Sequence, residues 1–279
     1  MKHHFIFSGI VDEAGKDIAT QIRAHKELGW KFMECRNVDG MQFTDLPDEK
    51  FTAVCAELAA AGMGVSSFAS GIANWACRIT DPLEKSTETL ARAIVRMNRL
   101  GTRYIRVMSW PNNGMDNASW RAEAVARMKI LGEQAEKGGI TIAVENCDGW
   151  ASTSADAYAE FFTAVNSPAV KAVYDTGNPC SHGHTNTWEW YTKCRPHIGM
   201  IHIKAHTGPG GEHVWPDVGA SCVVETLRDL VAIDYRGFVS IEPHLKAVAH
   251  EGKEITEAEA AYQTYVEYGR RLMRLCNEL

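Results

Sequence analysis

The fold is decided by the stretch ITIAVEN at residues 140–146 and by three similar runs that follow it: KAVYDTGN (171–178), MIHIKAH (200–206) and GFVSIEPH (237–244). Each run is strand-like, and its apolar residues indicate a buried strand of a parallel sheet. A side chain that can bind a metal lies near the end of each run: Glu145, Asp175, His202 and Glu242. Their spacing is about one strand-plus-helix unit each, which places them together at one rim of a parallel sheet closed into a barrel.

The four side chains predict a binding site for one divalent cation. Three carboxylates and an imidazole form a mixed oxygen and nitrogen shell, which suits Mn²⁺, Mg²⁺ or Co²⁺ better than Zn²⁺. The apolar residues before each acid make these positions unfavourable for unpaired charge. Ion pairing within the protein is the alternative, but one His and one Lys leave negative charge in excess. We therefore expect one metal ion, with Mn²⁺ first and Mg²⁺, Co²⁺ or Zn²⁺ as alternatives.

Four earlier runs complete an eightfold alternation of strands and helices: FIFSGIV (5–11), KFMECRN (31–37), GVSSFAS (64–70) and YIRVMSW (104–110). Strands that alternate with helices indicate parallel pairing. Barrels of about 250 residues normally form one domain. We therefore predict an α/β fold, a single (β/α)8 TIM barrel, as one domain over residues 1–279.

The helix boundaries have signals of their own. The segment DPLE (81–84) combines an N-cap, a proline at the first helical position and a capping-box acid, so it predicts a helix start. Thr256 with Glu259 predicts the start of the last helix. Gly101 predicts a helix end before the fourth strand.

The composition indicates a small-molecule partner. At 279 residues and 45% hydrophobic content, the chain can bury a full core. Its net charge is −6 and its basic residues are scattered, so we expect neither nucleic acid nor an anionic membrane as partner. No window approaches the roughly 18 apolar residues of a membrane span, and the N-terminal segment lacks a small-residue cleavage site, so we expect a cytoplasmic protein. The sequence is also compatible with a homo-oligomer.

A family resemblance rests on four segments in this order: AVEN (143–146), YDTGN (174–178), HIK (202–204) and SIEPH (240–244). They resemble the xylose isomerase-like TIM barrel superfamily, the sugar phosphate isomerase/epimerase family, which also contains inosose dehydratases, hydroxypyruvate isomerases and apurinic endonucleases. The resemblance spans nearly the whole chain. It implies four metal ligands: Glu145, Asp175, His202 and Glu242. In the ketose 3-epimerase branch the first and last glutamates also move the substrate proton.

Resemblance and chemistry together imply a divalent-metal-dependent isomerase or epimerase that acts on a keto-sugar or related polyol carbonyl compound. Proton transfer would pass through a metal-stabilised enediolate, with Glu145 and Glu242 as the catalytic bases. The close alternative is a lyase of the same superfamily, either inosose-dehydratase-like or a keto-glycoside deglycosidase. In that case Lys204 or His206 would protonate the leaving oxygen. A more distant alternative is a non-catalytic sugar-binding barrel.

Three positions depart from the ketose 3-epimerase pattern. Ala151 stands where that branch has a second glutamate, Asn178 where it has a histidine, and Gly208 where it has an arginine. These departures leave the particular sugar open. The endonuclease branch needs a histidine-rich site for several metals, which Asn178 and the lack of a basic groove argue against.

Four residues are predicted to bind the substrate: Asn178, Glu34, Trp110 and His206. The alternative for Asn178 is a turn-stabilising role. The alternative for Glu34 is an ion pair with Arg36 or another neighbour. A sugar ring could pack on Trp110 or Trp75, and packing in the core competes with that interpretation for both.

Lys204 is predicted to be a third catalytic residue. It resembles the lysine of the family's HIK motif and shares a strand face with His202, because residues two apart on a strand point the same way. We expect it to contact the substrate rather than the metal. The alternative is a salt bridge to Asp175 or Glu242.

Overall fold

The computed structural model of the protein describes residues 3–245 and 256–279. In this part of the chain, eight strands form one parallel sheet: Ile6–Gly9 (β1), Phe32–Cys35 (β2), Gly64–Ala69 (β3), Tyr104–Ser109 (β4), Thr141–Gly149 (β5), Val170–Asp175 (β6), Ile198–Ile203 (β7) and Phe238–Ile241 (β8). The order in the sheet is β1, β8, β7, β6, β5, β4, β3, β2. A parallel bridge between Ile10 and Glu34 joins the two end strands. The predicted (β/α)8 TIM barrel fold is confirmed.

Helices connect the strands and cover the outside of the barrel. The α-helices of the described ranges are Ile18–Leu28 (α1), Asp48–Ala61 (α2), Glu84–Leu100 (α3), Asn117–Gly138 (α4), Ala155–Val165 (α5), Asn178–Ser181 (α6), Thr187–Cys194 (α7), Val223–Ala232 (α8) and Glu257–Glu278 (α9). Short 3-10 helices span Val11–Glu13, Phe43–Asp45, Trp150–Ser152 and Arg195–His197. Two short antiparallel pairs lie outside the barrel, Asn37–Val38 with Met41–Gln42 and Ala205–His206 with His213–Val214. None of the described helices is long and apolar enough to cross a membrane.

Two of the three predicted helix boundaries are confirmed. The Thr256 side chain accepts a hydrogen bond from the Glu259 N–H at the start of α9. Gly101 ends α3 with φ 70°, where glycine has no Cβ penalty. The N-cap predicted at Asp81 is wrong, because α3 begins at Glu84 with Leu83 as its N-cap. The Asp81 carboxylate instead accepts the N–H of Arg78 at 2.7 Å and stabilises the preceding turn.

Side chains inside the barrel change character along the strands. A small apolar cluster fills the interior near the amino ends of the strands: Ala143, Val173, Met200, Tyr104 and Phe238. Alternate residues of a strand share a face. The next inward positions toward the carboxyl ends on β5, β6 and β7 are therefore Glu145, Asp175 and His202. The polar side chains of the rim thus lie directly above the apolar layer.

Candidate metal centre

The carboxyl ends of β5 to β8 bring four metal-binding side chains together. Glu145, Asp175, His202 and Glu242 each offer one ligand atom, and these atoms all lie within 4.8 Å of one another. All four residues are buried. The barrel register explains the convergence, because Asp175 on β6 and Ser240 on β8 are both paired with His202 on β7. The geometry therefore allows one cation to contact all four side chains.

Asp175 is held by the chain that follows it. Its Oδ1 accepts hydrogen bonds from the N–H groups of Gly177 and Asn178, at 2.8 and 2.7 Å. Its Oδ2 is fully buried and accepts no hydrogen bond from the described residues, although the Lys204 Nζ lies 3.2 Å away. A buried carboxylate oxygen without a hydrogen bond is unfavourable. A cation among the four side chains would satisfy this atom, so the residues present fit the metal that their chemistry implies.

The His202 ring is oriented by two carboxylates. Its Nδ1 lies 3.1 Å from Glu145 Oε1 and so faces the cluster. Its Nε2 lies 3.0 Å from Glu34 Oε2, on the other side of the ring. A metal-binding histidine commonly uses its second nitrogen to contact a carboxylate in this way, which fixes the ring and increases its basicity.

Glu34 therefore differs from its predicted role as a substrate-binding residue. The residue is fully buried at the end of β2, and its Oε2 also accepts a hydrogen bond from Ser240 Oγ at 2.6 Å. Its carboxylate lies behind His202 rather than in the cavity. The predicted alternative was an ion pair with Arg36 or another neighbour, and it is the neighbour His202 that pairs with Glu34, because Arg36 pairs with other acids.

Burial and neighbouring charges shift the pKa values of the cluster in opposite directions. Burial raises the pKa of Asp175 to about 6, and the Lys204 ammonium only partly opposes it. Burial also disfavours the charged form of Glu242, but Lys204 and His244 outweigh it and hold the pKa of Glu242 well below its ordinary range. Lys204 is buried too, yet Asp175 and Glu242 raise the pKa of its ammonium well above the ordinary value. The ammonium therefore stays protonated.

Lys204 bridges two of the candidate metal ligands. Its Nζ lies 2.7 Å from Glu242 Oε2 and 3.2 Å from Asp175 Oδ2. The alternative predicted for Lys204, a salt bridge to Asp175 or Glu242, is therefore present in the structure. The side chain also lines the cavity described below, so ion pairing and substrate contact are compatible for this residue.

Two arginines contact the cluster. Neither was counted when the charges were compared in the sequence. Arg106 Nε lies 3.5 Å from Glu145 Oε2, and Arg36 Nη1 lies 3.2 Å from Glu242 Oε1. The excess of negative charge is therefore smaller around the four ligands than the sequence implied. Arg36 also contacts Asp12 and Glu13, so it is shared with acids outside the quartet. A charged residue inside the apolar run YIRVMSW was the signal that would have found Arg106.

A cavity of about 130 Å³ opens beside the cluster. Its lining combines candidate ligands, cationic side chains and residues from the loops: Arg36, Trp75, Arg106, Met108, Glu145, Cys147, Asn178, Ser181, Lys204, His213, Glu242 and His244. Asn178, a predicted substrate-binding residue, lines this cavity, and its Nδ2 is 3.4 Å from Glu145 Oε1. The cavity is therefore the place where a small substrate would meet the cluster.

Trp110 does not lie in this cavity, which corrects its predicted role as a substrate-binding residue. It is 1% exposed and has a left-handed backbone conformation with φ 55°. The Arg127 guanidinium of α4 lies 5.9 Å from its ring, and its carbonyl accepts the Trp120 Nε1–H at 2.9 Å. No sugar can stack on a ring enclosed in this way. Trp75, by contrast, is 61% exposed and lines the cavity.

His206, a predicted substrate-binding residue, is buried one layer behind the cavity and is not among the residues that line it. Its N–H donates to Ser221 Oγ at 2.8 Å, and its Nδ1 accepts the Gly208 N–H at 3.2 Å. Its ring packs edge-on against His213, with ring centres 5.0 Å apart. The hairpin after β7 folds back here, so it presents His213 to the cavity and covers His206.

The fold and the buried cluster define the class of protein, a TIM barrel with a candidate metal centre at the carboxyl ends of its strands. A family model described as xylose isomerase-like TIM barrel matches residues 22–272. The chain therefore belongs to the xylose isomerase-like TIM barrel family. No curated protein matches the chain in sequence.

Solved structures are similar over the whole chain. D-allulose 3-epimerase from Methylomonas sp., in complex with D-allulose, is 17% identical with a TM-score of 0.73, and the match covers 100% of this chain and 98% of that one. A probable 3-DHS dehydratase from Bacillus anthracis is 15% identical with a TM-score of 0.72 and coverages of 96% and 99%. A xylose isomerase-like TIM barrel protein from Mycobacterium smegmatis, in complex with magnesium, is 18% identical with a TM-score of 0.69 and coverages of 99% and 100%. At these identities the likeness shows the fold.

Proposed function

We propose that this chain is a divalent-metal-dependent isomerase or epimerase that transfers a proton at the carbon beside the carbonyl of a polyhydroxylated substrate. The observation that carries the proposal is the convergence of four ligand atoms within 4.8 Å of one another, next to a cavity that also holds Lys204. The similar structures include an epimerase in complex with a sugar and a protein in complex with magnesium, which supports this choice of class.

Four side chains would hold the cation: Glu145, Asp175, His202 and Glu242. The oxygen-rich set with one imidazole favours Mn²⁺, followed by Mg²⁺ and Co²⁺. When bound, the cation supplies positive charge against the oxyanion that deprotonation of the substrate creates. Glu34 keeps the His202 ring in place from behind.

Glu145 and Glu242 would move the proton. Each carboxylate directs one oxygen toward His202, Glu145 through Oε1 at 3.1 Å and Glu242 through Oε2 at 3.9 Å from Nδ1. The other oxygen of each faces an arginine, Arg106 or Arg36. Two bases that line one cavity can remove a proton on one side of a substrate carbon and return it on the other, as epimerisation requires.

Lys204 would stabilise the negative oxygen of the reacting substrate. Its high pKa keeps the ammonium charged, so it is a strong electrostatic partner and a weak acid. Elimination needs a group that readily gives a proton to the leaving oxygen, and this role for Lys204 is the lyase alternative.

The test is proton exchange measured by NMR in D₂O. Metal-loaded protein is mixed with ketoses, inososes and 3-keto-glycosides, and metal content is measured on the same sample. Deuterium incorporation beside the carbonyl, with an isomer or epimer as product, supports the proposal. Accumulation of an elimination product would assign the chain to the lyases instead. Substrates that bind without any exchange would make it a binding protein.

A further inference from the structure

One cationic side chain in the cavity has no adequate partner among the described residues. Arg106 lies within β4, its side chain is 4% exposed, and it lines the cavity. Its Nε is fully buried and donates no hydrogen bond to any described residue. The one carboxylate at ion-pair distance in the described ranges is Glu145, whose Oε2 lies 3.5 Å from that Nε, too far for a good hydrogen bond.

The second arginine of the cavity, Arg36, has hydrogen bonds and ion pairs that satisfy its guanidinium. Arg36 Nε donates to both carboxylate oxygens of Asp12, at 3.1 and 3.0 Å. Its Nη1 donates to Glu242 at 3.2 Å, and its Nη2 lies 3.6 Å from Glu13. Three acids therefore neutralise Arg36. Of these two arginines, Arg106 is the one that is free to bind a ligand.

A buried guanidinium cannot lose its charge and is costly without hydrogen-bonded anions around it. Glu145 cannot supply this partner throughout a reaction, because the proposed function requires its carboxylate to contact the cation and to take up a proton. A partner must then come from the ligand. The planar fork of a guanidinium matches a carboxylate, to which it donates two parallel hydrogen bonds.

We propose that Arg106 binds a carboxylate group of the substrate, so that the substrate class is the keto-sugar acids rather than the neutral ketoses. The inference rests on the proposed function and narrows it. Glu145 occupies the Nε side of the guanidinium, which leaves its terminal nitrogens for the ligand. Lys204, in the same cavity, is already paired with Asp175 and Glu242, so among the described residues Arg106 is the cation that remains for an anionic ligand.

The first experiment measures binding without catalysis. Metal-free protein is titrated calorimetrically with D-gluconate and with D-glucitol, which differ at one end by the carboxylate. Wild-type protein should bind gluconate at least tenfold more tightly than glucitol. Arg106→Met and Arg106→Lys should each remove about tenfold or more of that preference, since a hydrogen bond to a charged group is worth about that factor. Arg103→Met is the matched control, because Arg103 is exposed just before the start of the same strand.

The second experiment measures turnover in metal-loaded protein by deuterium exchange. D-fructuronate is compared with D-fructose and D-tagaturonate with D-tagatose, and D-fructose 6-phosphate tests a phosphate as the anion. We expect kcat/KM to be at least tenfold higher for the acids. The Arg106→Lys variant should lose this advantage mainly through KM, with a smaller effect on the neutral sugars.

The outcomes separate this inference from the function on which it rests. If neutral ketoses exchange as well as the acids, and Arg106→Lys slows both equally, Arg106 only positions Glu145 and the carboxylate inference is wrong while the proposed function stands. A preference for the phosphate sugar would also overturn it. If no compound exchanges, the proposed function fails, and equal gluconate affinity in wild type and Arg106→Met would then remove the carboxylate site as well.

Discussion

The two ends of the barrel interior are built from the same strands but differ in chemistry. At the amino end, Ala143, Val173 and Met200 pack together with aromatic rings. Two residues further along β5, β6 and β7, the inward positions hold Glu145, Asp175 and His202, whose charges are buried. Apolar burial stabilises the folded state, whereas buried ions are costly unless they are well paired. Apolar packing therefore stabilises the barrel at one end, and the other end has the buried charges that the proposed metal site requires.

The greatest loss of activity is expected when a proposed catalytic base at the polar end is removed. Replacing Glu145 or Glu242 by Gln should reduce proton exchange by about a thousandfold, because Gln keeps the volume but cannot accept the proton. Exchange is measured by NMR in D₂O together with metal content. Glu57→Gln, at an exposed position of α2, is the matched control. Near-normal exchange in either variant would remove that residue from the two-base scheme.

Breaking the apolar end should instead affect stability. Met200→Ala should lower the free energy of unfolding by about 3 kcal/mol, because it leaves a cavity in the fully buried cluster. Exchange per folded molecule should stay near that of wild type. Urea unfolding provides the measurement, and Met41→Ala at a 36% exposed position is the control. A loss of activity without a loss of stability would contradict the division between the two ends.

A pH dependence of stability should come from the helical layer that surrounds the barrel. His25 is fully buried, where its Nε2 lies 2.8 Å from the Tyr265 hydroxyl and its Nδ1 lies 2.7 Å from the Phe32 carbonyl oxygen. Burial lowers the pKa of His25 from 6.5 to about 4. The unfolded chain therefore binds this proton more readily, so the contribution is full above pH 6.5 and is lost as the pH falls toward 4. The expected loss is about 3 kcal/mol.

Urea unfolding of wild type and His25→Gln at pH 7.5, 5.5 and 4.5 tests this expectation. The stability difference between the two proteins should shrink toward acid pH, since the variant has no such proton to bind. His184→Gln serves as a control, because this partly exposed histidine forms no ion pair with the described residues. A constant difference across the three pH values would show that His25 does not carry the effect.

Lys204→Met should sharpen the distinction between metal binding and catalysis. Turnover should fall by about a hundredfold, the usual scale for removing one preorganised electrostatic group. Metal occupancy, measured by elemental analysis, should stay near one ion per chain, since Lys204 repels rather than binds a cation. Lys129→Met on the exposed face of α4 is the control. Loss of the metal as the main effect would show that the lysine is structural.

The smallest expected effect concerns the residue behind the cluster. Glu34→Gln should weaken metal affinity by about tenfold, because the carboxylate that contacts His202 Nε2 would be replaced by a neutral amide. Metal titration by calorimetry measures the change. The exchange rate at saturating metal should fall much less than in the Glu145→Gln variant. Unchanged metal affinity would mean that Glu34 does not support the histidine.

The barrel could be predicted because each strand is a local apolar run and each helix intervenes at a regular distance. The grouping of Glu145, Asp175, His202 and Glu242 followed from the same regularity, since the carboxyl ends of parallel strands meet at one rim. The start of α3 was misplaced by two residues because Asp81 is used by a local turn. A turn and a helix cap draw on the same side chains, so the pattern alone does not separate them.

The roles of Glu34, Trp110 and His206 could not be predicted in the same way. Each follows or ends a strand, as a substrate-binding residue would, but each is covered by a neighbour from elsewhere in the chain. Glu34 meets a histidine 168 positions later. Trp110 packs beside α4, and His206 is covered by the hairpin that carries His213. Burial is a property of the assembled layers and has no local signature.

The alternation of strands and helices and the four side chains at strand ends are local properties of the chain, so the barrel and its rim could be predicted from the residues alone. Which groups face the cavity and which lie behind it depends instead on how the assembled layers pack. Arg36 and Arg106 carry the same charge in the sequence, yet one is neutralised by three acids and the other is left with one distant carboxylate. That difference arises from distances between residues far apart in the chain, and charge interactions depend on those distances and on burial.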